Sequence, residues 1–301
     1  MQANIQHILD QAGQVILGKE NQLKLALACI LARGHLLIED LPGMGKSTLA
    51  HTLAQVLGLE FRRVQFTSDL LPADILGVSV YDRNQAAFKF HPGPVFTNVL
   101  LADELNRATP KTQSALLEAM EEHQVTLDGD TRKLPEPFFV IATQNPTHHV
   151  GAYPLPESQL DRFLMKITLG YPDMRSERNL LKNAGGRHAP VSAAIDASTL
   201  MQLQHAVDTI HVSDALLDYL QSLLDYTRHS PHYQTGLSPR AGLAIRQCAQ
   251  AWALIAGRDY ALPEDVQAIL PGVVGHRLQA APGTDTTIDI ATALIHAVPV
   301  A

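Results

Sequence analysis

The residues best equipped for chemistry lie in the run Asp40-Leu41-Pro42-Gly43-Met44-Gly45-Lys46-Ser47-Thr48. Closely spaced glycines let successive backbone N–H groups curl around an anion, and a helix opening at the end of such a turn adds its dipole. Lys46 can reach the distal phosphates of a nucleotide, and the Ser47 hydroxyl can ligate the accompanying magnesium ion. Thr48 follows inside the helix and supports the loop. An apolar run from His35 to Glu39 precedes the loop and helical spacing from Ser47 to Leu57 follows it. That strand-before, helix-after context separates a phosphate loop from a glycine-rich turn with a solvated lysine. The full pattern has a glycine where Asp40 stands. That position begins the turn rather than touching phosphate, so the expected effect of Asp40 is a weak repulsion of the anion, relieved in Asp40→Gly.

A second element complements the first. Val99-Leu100-Leu101-Ala102 is an apolar run ending in Asp103-Glu104. At the end of a buried strand, Asp103 can hold magnesium, and Glu104 can polarise the water that attacks the terminal phosphate. Alone, such a pair reads as a solvated turn; beside a phosphate loop it reads as metal ligand and base. Phe139-Val140-Ile141-Ala142 leads into Thr143-Gln144-Asn145-Pro146 and places Asn145 at another strand end, with Thr143 as the alternate. The plainer reading of Asn145-Pro146 is a turn. ATP and Mg2+ are the expected cofactors, and hydrolysis is the expected reaction.

The elements that must position these residues form an α/β pattern. Short apolar runs alternate with helical spacing as far as Phe163 to Leu169, which implies a parallel sheet with right-handed crossovers. Beyond Tyr171-Pro172 the strand signals stop. Asp173 to Asn183, Ala194 to Val207, Ser213 to His229, Pro239 to Ala256 and Pro263 to Leu278 all read as helices. The expected organisation is therefore an α/β domain over 1–170 and an all-helical domain over 171–301. Two stretches, 76–91 and 125–134, read as hairpins, the second turning at Asp128-Gly129.

Composition narrows the function classes. The chain has 301 residues, 46% hydrophobic and 18% charged, with a net charge of −7. Its lysines and arginines are scattered, whereas a nucleic-acid surface needs cations gathered on one face. Cys29 and Cys248 sit far apart in apolar helical patterns and read as buried thiols. The 14 histidines, His148-His149 included, show no ligand spacing. The N-terminus has no signal-peptide character, and no apolar run approaches the roughly 20 residues of a membrane span. The expectation is a cytoplasmic protein without membrane insertion or nucleic-acid partner.

The phosphate loop, Leu100 to Glu122 (LLADELNRATPKTQSALLEAMEE), Ile141 to Pro146 (IATQNP), Tyr153 to Phe163 (YPLPESQLDRF) and Gly236 to Gly242 (GLSPRAG) together resemble the MoxR branch of the AAA+ ATPases. The resemblance runs through nearly the whole chain. It implies an AAA+ P-loop core whose parallel sheet has the strand order 5-1-4-3-2, followed by an all-α lid. It also implies a homo-oligomer, commonly a hexameric ring with nucleotide between subunits. Arg162 then matches the arginine finger that reaches a neighbour's nucleotide; the local alternative pairs it with Glu157 or Asp161. Arg240 matches the lid's sensor arginine, acting in cis or in trans, and Arg107 matches a motif near the subunit interface. The hairpins match the helix-2 and pre-sensor-1 insertions of this branch, and Ile16 to Lys19 matches the segment lining the adenine pocket.

On this resemblance the expected function is an ATP-driven, chaperone-like remodeller or maturation factor. It would work on a client protein with a partner that carries a von Willebrand factor A domain. A metal-chelatase ATPase subunit and a nucleic-acid-remodelling motor are the alternatives, and a small-molecule kinase shares only the loop.

Overall fold

Five parallel strands carry the site: β1 (Leu36–Glu39), β2 (Phe61–Gln65), β5 (Val99–Asp103), β8 (Phe139–Gln144) and β9 (Met165–Ile167), in the spatial order β2-β5-β8-β1-β9. Counted as core strands one to five, this is the expected 5-1-4-3-2 order. The computed structural model describes residues 1–146, 152–182, 191–283 and 289–300. The paired histidines His148-His149 lie outside the described residues.

Every residue of β5 and β8 is buried, as strands covered on both faces must be, and this explains their near-continuous apolar sequences. Alternate residues serve the two faces. Leu36, Ile38, Leu101 and Ile141 pack with α1 (Gln2–Gly13), α2 (Glu20–Leu31), α3 (Lys46–Val56) and the C-terminal helices. Leu37, Leu100, Ala102 and Val140 face α4 (Pro72–Leu76) and α5 (Pro110–Glu122). Because β1, β5 and β8 lie side by side, their carboxyl ends bring Asp40, Asp103 and Asn145 to one edge of the sheet. Ligands of open α/β sheets bind at such an edge.

Two antiparallel hairpins project from this layer, β3 (Gly77–Asp82) with β4 (Ala87–Pro92) and β6 (Gln124–Leu127) with β7 (Asp130–Lys133). The short helix α6 (Glu157–Leu160) precedes β9. After β9 the described chain is helical: α7 (Met174–Lys182), α8 (Ala197–Asp208), α9 (Asp214–His229), α10 (Pro239–Ile255), α11 (Pro263–Val274) and α12 (Ile290–Ala297). Asp196, Ser213 and Ser238 cap the N-termini of α8, α9 and α10 by accepting from main-chain N–H groups.

Some boundaries differ from the sequence reading. The strand expected over Phe163 to Leu169 is paired only over Met165–Ile167, because the Leu169 N–H donates to the Asp40 carboxylate instead of a ladder partner. Helix α11 stops at Val274 rather than Leu278, and α12 is an addition, capped by Asp289.

Candidate functional site

The loop after β1 owes its shape to Gly43 and Gly45, with φ of 84° and 89°. L side chains are strained at such angles, and the space where a Cβ would stand is open at both positions. Gly45 is the N-cap of α3 and offers no side chain to its first N–H groups, so these remain available to an anion. Pro42, Gly43, Gly45, Lys46, Ser47 and Thr48 line a cavity of about 330 Å³ with Asp103, Glu104 and Asn145. Met44 departs from this set and packs against the apolar core.

Lys46 is buried, and its Nζ donates to the Asp40 carbonyl, to the Leu41 carbonyl at 3.2 Å and to Asn145 Oδ1 at 2.9 Å. Burial lowers its pKa from the ordinary lysine value, while the charges of Asp40, Asp103 and Glu104 pull it back up. An incoming phosphate supplies the anion that this partly desolvated cation lacks.

Asp103 is buried at the end of β5. Its Oδ1 accepts from Thr143 Oγ1 at 2.6 Å, and its Oδ2 lies 3.4 Å from Ser47 Oγ. The same Oδ2 takes Arg63 Nη2 at 2.6 Å and Nε at 3.0 Å. Arg63 comes from edge strand β2 and brings a positive charge to the oxygen facing Ser47. A hard dication fits a pocket already made of a carboxylate, a hydroxyl and a place for positive charge.

Glu104 adopts a left-handed conformation (φ 56°, ψ 47°), uncommon for a non-glycine residue. Thr143 Oγ1 accepts its N–H at 2.9 Å. Its carboxylate takes Arg107 Nη1 at 2.9 Å, Gln65 Nε2 at 3.0 Å and Asn145 Nδ2 at 3.3 Å. Asn145 thus bridges Lys46 and Glu104. Both readings of the β8 end hold a place here, Asn145 against the lysine and Thr143 beneath the acidic pair.

Arg162 and Arg240 lie elsewhere. Arg162 Nη1 pairs with Glu121 Oε2 at 2.9 Å and donates to the Leu117 carbonyl at 2.8 Å. Arg240 Nη2 reaches Glu121 Oε1 at 3.3 Å, and its Nη1 stands 3.9 Å from Asp161. One carboxylate on α5 therefore holds both arginines, in a cavity of about 250 Å³ that shares no lining residue with the phosphate cavity. Arg162 pairs with Glu121 rather than with Glu157 or Asp161; Glu157 accepts from Gln279 Nε2, and Asp161 is engaged by Arg277 Nε at 2.7 Å.

Residues 35–165 match the ATPase family associated with various cellular activities, and residues 225–293 match the AAA lid domain. The chain is 44% identical over 276 residues to the uncharacterized protein YeaC of Bacillus subtilis, covering 91% of this chain and 86% of that one. It is 41% identical over 285 residues to chaperone MoxR1 of Mycobacterium tuberculosis, covering 90% and 76%. The chain belongs to the MoxR family of AAA+ ATPases. A crystal structure from Cytophaga hutchinsonii superposes with a TM-score of 0.91 at 34% identity, covering 100% of this chain and 96% of that one. The MoxR family is a nucleotide-binding one, and the open glycine cradle, the free helix N-terminus and the desolvated Lys46 fit a phosphate chain.

Sequence reading passed over Arg63, Gln65 and Glu121. Arg63 and Gln65 sit in a strand whose FRRVQF pattern carries no motif, and Glu121 ends a helix among other glutamates. Period-two alternation along β2 was the available signal for Arg63 and Gln65. It places both on one face, toward the end of β5. Among the described residues, no cluster of His, Cys, Asp and Glu could hold a metal by itself, and no helix is long and apolar enough to cross a membrane.

Proposed function

We propose that the chain is an ATP-hydrolysing subunit of a homo-oligomeric, hexameric ring whose active site is completed by the neighbouring subunit. The loop N–H groups and Lys46 bind the phosphates. Ser47 and Asp103 hold Mg2+, whose charge offsets that of the phosphate oxygens. Glu104, kept in place by Arg107, Gln65 and Asn145, orients the attacking water and accepts its proton. Asn145 links that base to Lys46. Arg162 and Arg240 come from the next subunit and neutralise charge on the transferred phosphoryl group.

The observation that carries this reading is the segregation of charge. The acidic and phosphate-binding groups share one cavity, and both arginines share Glu121 in another. A subunit with its finger away from its own site needs a partner's. The same placement favours action in trans for Arg240.

The ring is proposed to act in the cytoplasm as a chaperone-like remodeller of client proteins, with residues 171–301 as the lid over the α/β domain of 1–170. A von Willebrand factor A domain protein is the proposed partner. The name of the chaperone relative supports the remodelling role. The β3–β4 hairpin supports it as well, leaving Val78, Val80, Tyr81 and Phe88 exposed as apolar contacts for a client.

The test is ATP hydrolysis against protein concentration for wild type, Glu104→Gln and Arg162→Ala. Specific activity should rise with concentration, and each variant alone should be inactive. Mixed in equal amounts, about a quarter of the head-to-tail interfaces pair an intact Glu104 with an intact Arg162, so about that share of activity should return. Concentration-independent turnover that survives Arg162→Ala would remove the shared site.

A further inference from the structure

The residue standing where the loop motif has a glycine is tied to the chain leaving the neighbouring edge strand. Asp40 is buried, 8% exposed, and its Oδ1 accepts the Leu41 N–H at 2.8 Å. Its Oδ2 accepts the N–H of Leu169 at 2.8 Å and of Gly170 at 2.6 Å. Strands β1 and β9 are neighbours paired through Ile38 and Ile167, so Asp40 and Leu169 face each other just beyond the ladder. There the chain leaves the sheet for α7, turning at Gly170 with φ 64°. On its other side, the carbonyl of Asp40 accepts from Lys46 Nζ. One residue therefore touches the phosphate-binding lysine with its main chain and the strand-to-helix passage with its side chain.

We propose that Asp40 is a positioning residue that couples the phosphate loop to the Leu169–Gly170 passage, so that the state of Lys46 is transmitted to the helices beyond it. This rests on the ATP-hydrolysing reading for its effect on turnover, though not for the clamp. When Lys46 turns to phosphate it releases the Asp40 carbonyl, and the carboxylate carries the shift to the two amides. The geometry adds a structural role to the expected anion repulsion, since three N–H donors hold the carboxylate in place.

Asp40→Gly restores the glycine of the common motif and leaves the loop able to fold. Asp40→Asn removes the charge and keeps one oxygen that can accept the Leu169 and Gly170 amides, while its Nδ2 replaces the oxygen that accepts the Leu41 N–H. Three quantities decide the matter: hydrogen exchange at Leu169 and Gly170 with and without magnesium and a non-hydrolysable ATP analogue, affinity for fluorescent mant-ADP, and kcat.

In wild type the two amides should be protected, and their protection should change with nucleotide. Asp40→Gly should exchange them about tenfold faster, lose the nucleotide response and lower kcat about tenfold, with mant-ADP affinity within about threefold of wild type. Asp40→Asn should keep the nucleotide response of the two amides, with exchange and kcat between those of wild type and Asp40→Gly. Unchanged exchange in Asp40→Gly overturns the proposal. So does identical behaviour of the two variants with tighter nucleotide binding and unaltered kcat, the signature of repulsion alone. A wild type that binds mant-ADP without hydrolysing ATP defeats the hydrolytic reading, and the exchange measurements still decide the coupling.

Discussion

Acidification should destabilise the fold through two buried histidines. His35 Nδ1 accepts the Val140 N–H at 2.9 Å, and its Nε2 donates to the Met120 carbonyl at 3.1 Å. A second proton would set a donor against a donor, and burial holds the pKa at about 4, down from 6.5. His276 donates from Nε2 to the Phe163 carbonyl at 2.9 Å, its Nδ1 is buried without a partner among the described residues, and burial with the nearby Arg277 charge lowers its pKa to about 3. Both folded values lie below the unfolded one, so the unfolded chain binds more protons and stability falls as pH drops below 6.5. At pH 5 each folded histidine is still neutral, so the loss depends on the unfolded value and the pH alone. From pH 7 to pH 5 it comes to about 2 kcal/mol for each histidine, or about 4 kcal/mol for the pair. Against a typical stability of about 5–15 kcal/mol, this is large enough to read directly. Urea unfolding at pH 7, 6 and 5 should show it in wild type, and His35→Gln should remove about half. Glutamine can accept from Val140 and donate to Met120 without titrating. A pH dependence of His35→Gln parallel to that of wild type would refute the reasoning.

Two further substitutions probe the same framework. Gly34→Ala would drive its Cβ into the Leu164 side chain, and urea unfolding should show a loss of about 1–3 kcal/mol. Thr143→Val keeps the shape of the side chain but removes the hydroxyl that donates to Asp103 and accepts the Glu104 N–H. It should cost about 1–3 kcal/mol of stability and raise the magnesium concentration needed for half-maximal turnover, measured by titration at saturating ATP.

The geometry of the glycine loop was legible in the sequence because it is local. A loop that wraps an anion is built from adjacent residues, so the spacing of Gly43, Gly45, Lys46 and Ser47 carries its own geometry. The strand ends at Asp103 and Asn145 were legible for a related reason: a strand buried on both faces must be apolar until it stops. The helices after β9 announced themselves by periodicity and by entry residues such as Ser213 and Ser238.

Only the tertiary structure decided the pairings across the chain. The Asp40 carboxylate meets amides 129 and 130 positions away, Arg63 crosses 40 positions to Asp103, and Arg240 crosses 119 to share Glu121 with Arg162. Nothing in the spacing of Asp40 distinguishes an anion-repelling side chain from one that closes a strand end. The difference lies in which backbone N–H groups the neighbouring strand leaves unpaired. Local pattern fixes what a residue can do, and the packing of distant elements fixes which partner satisfies it, because a buried polar group takes whatever donor or acceptor the fold brings within reach.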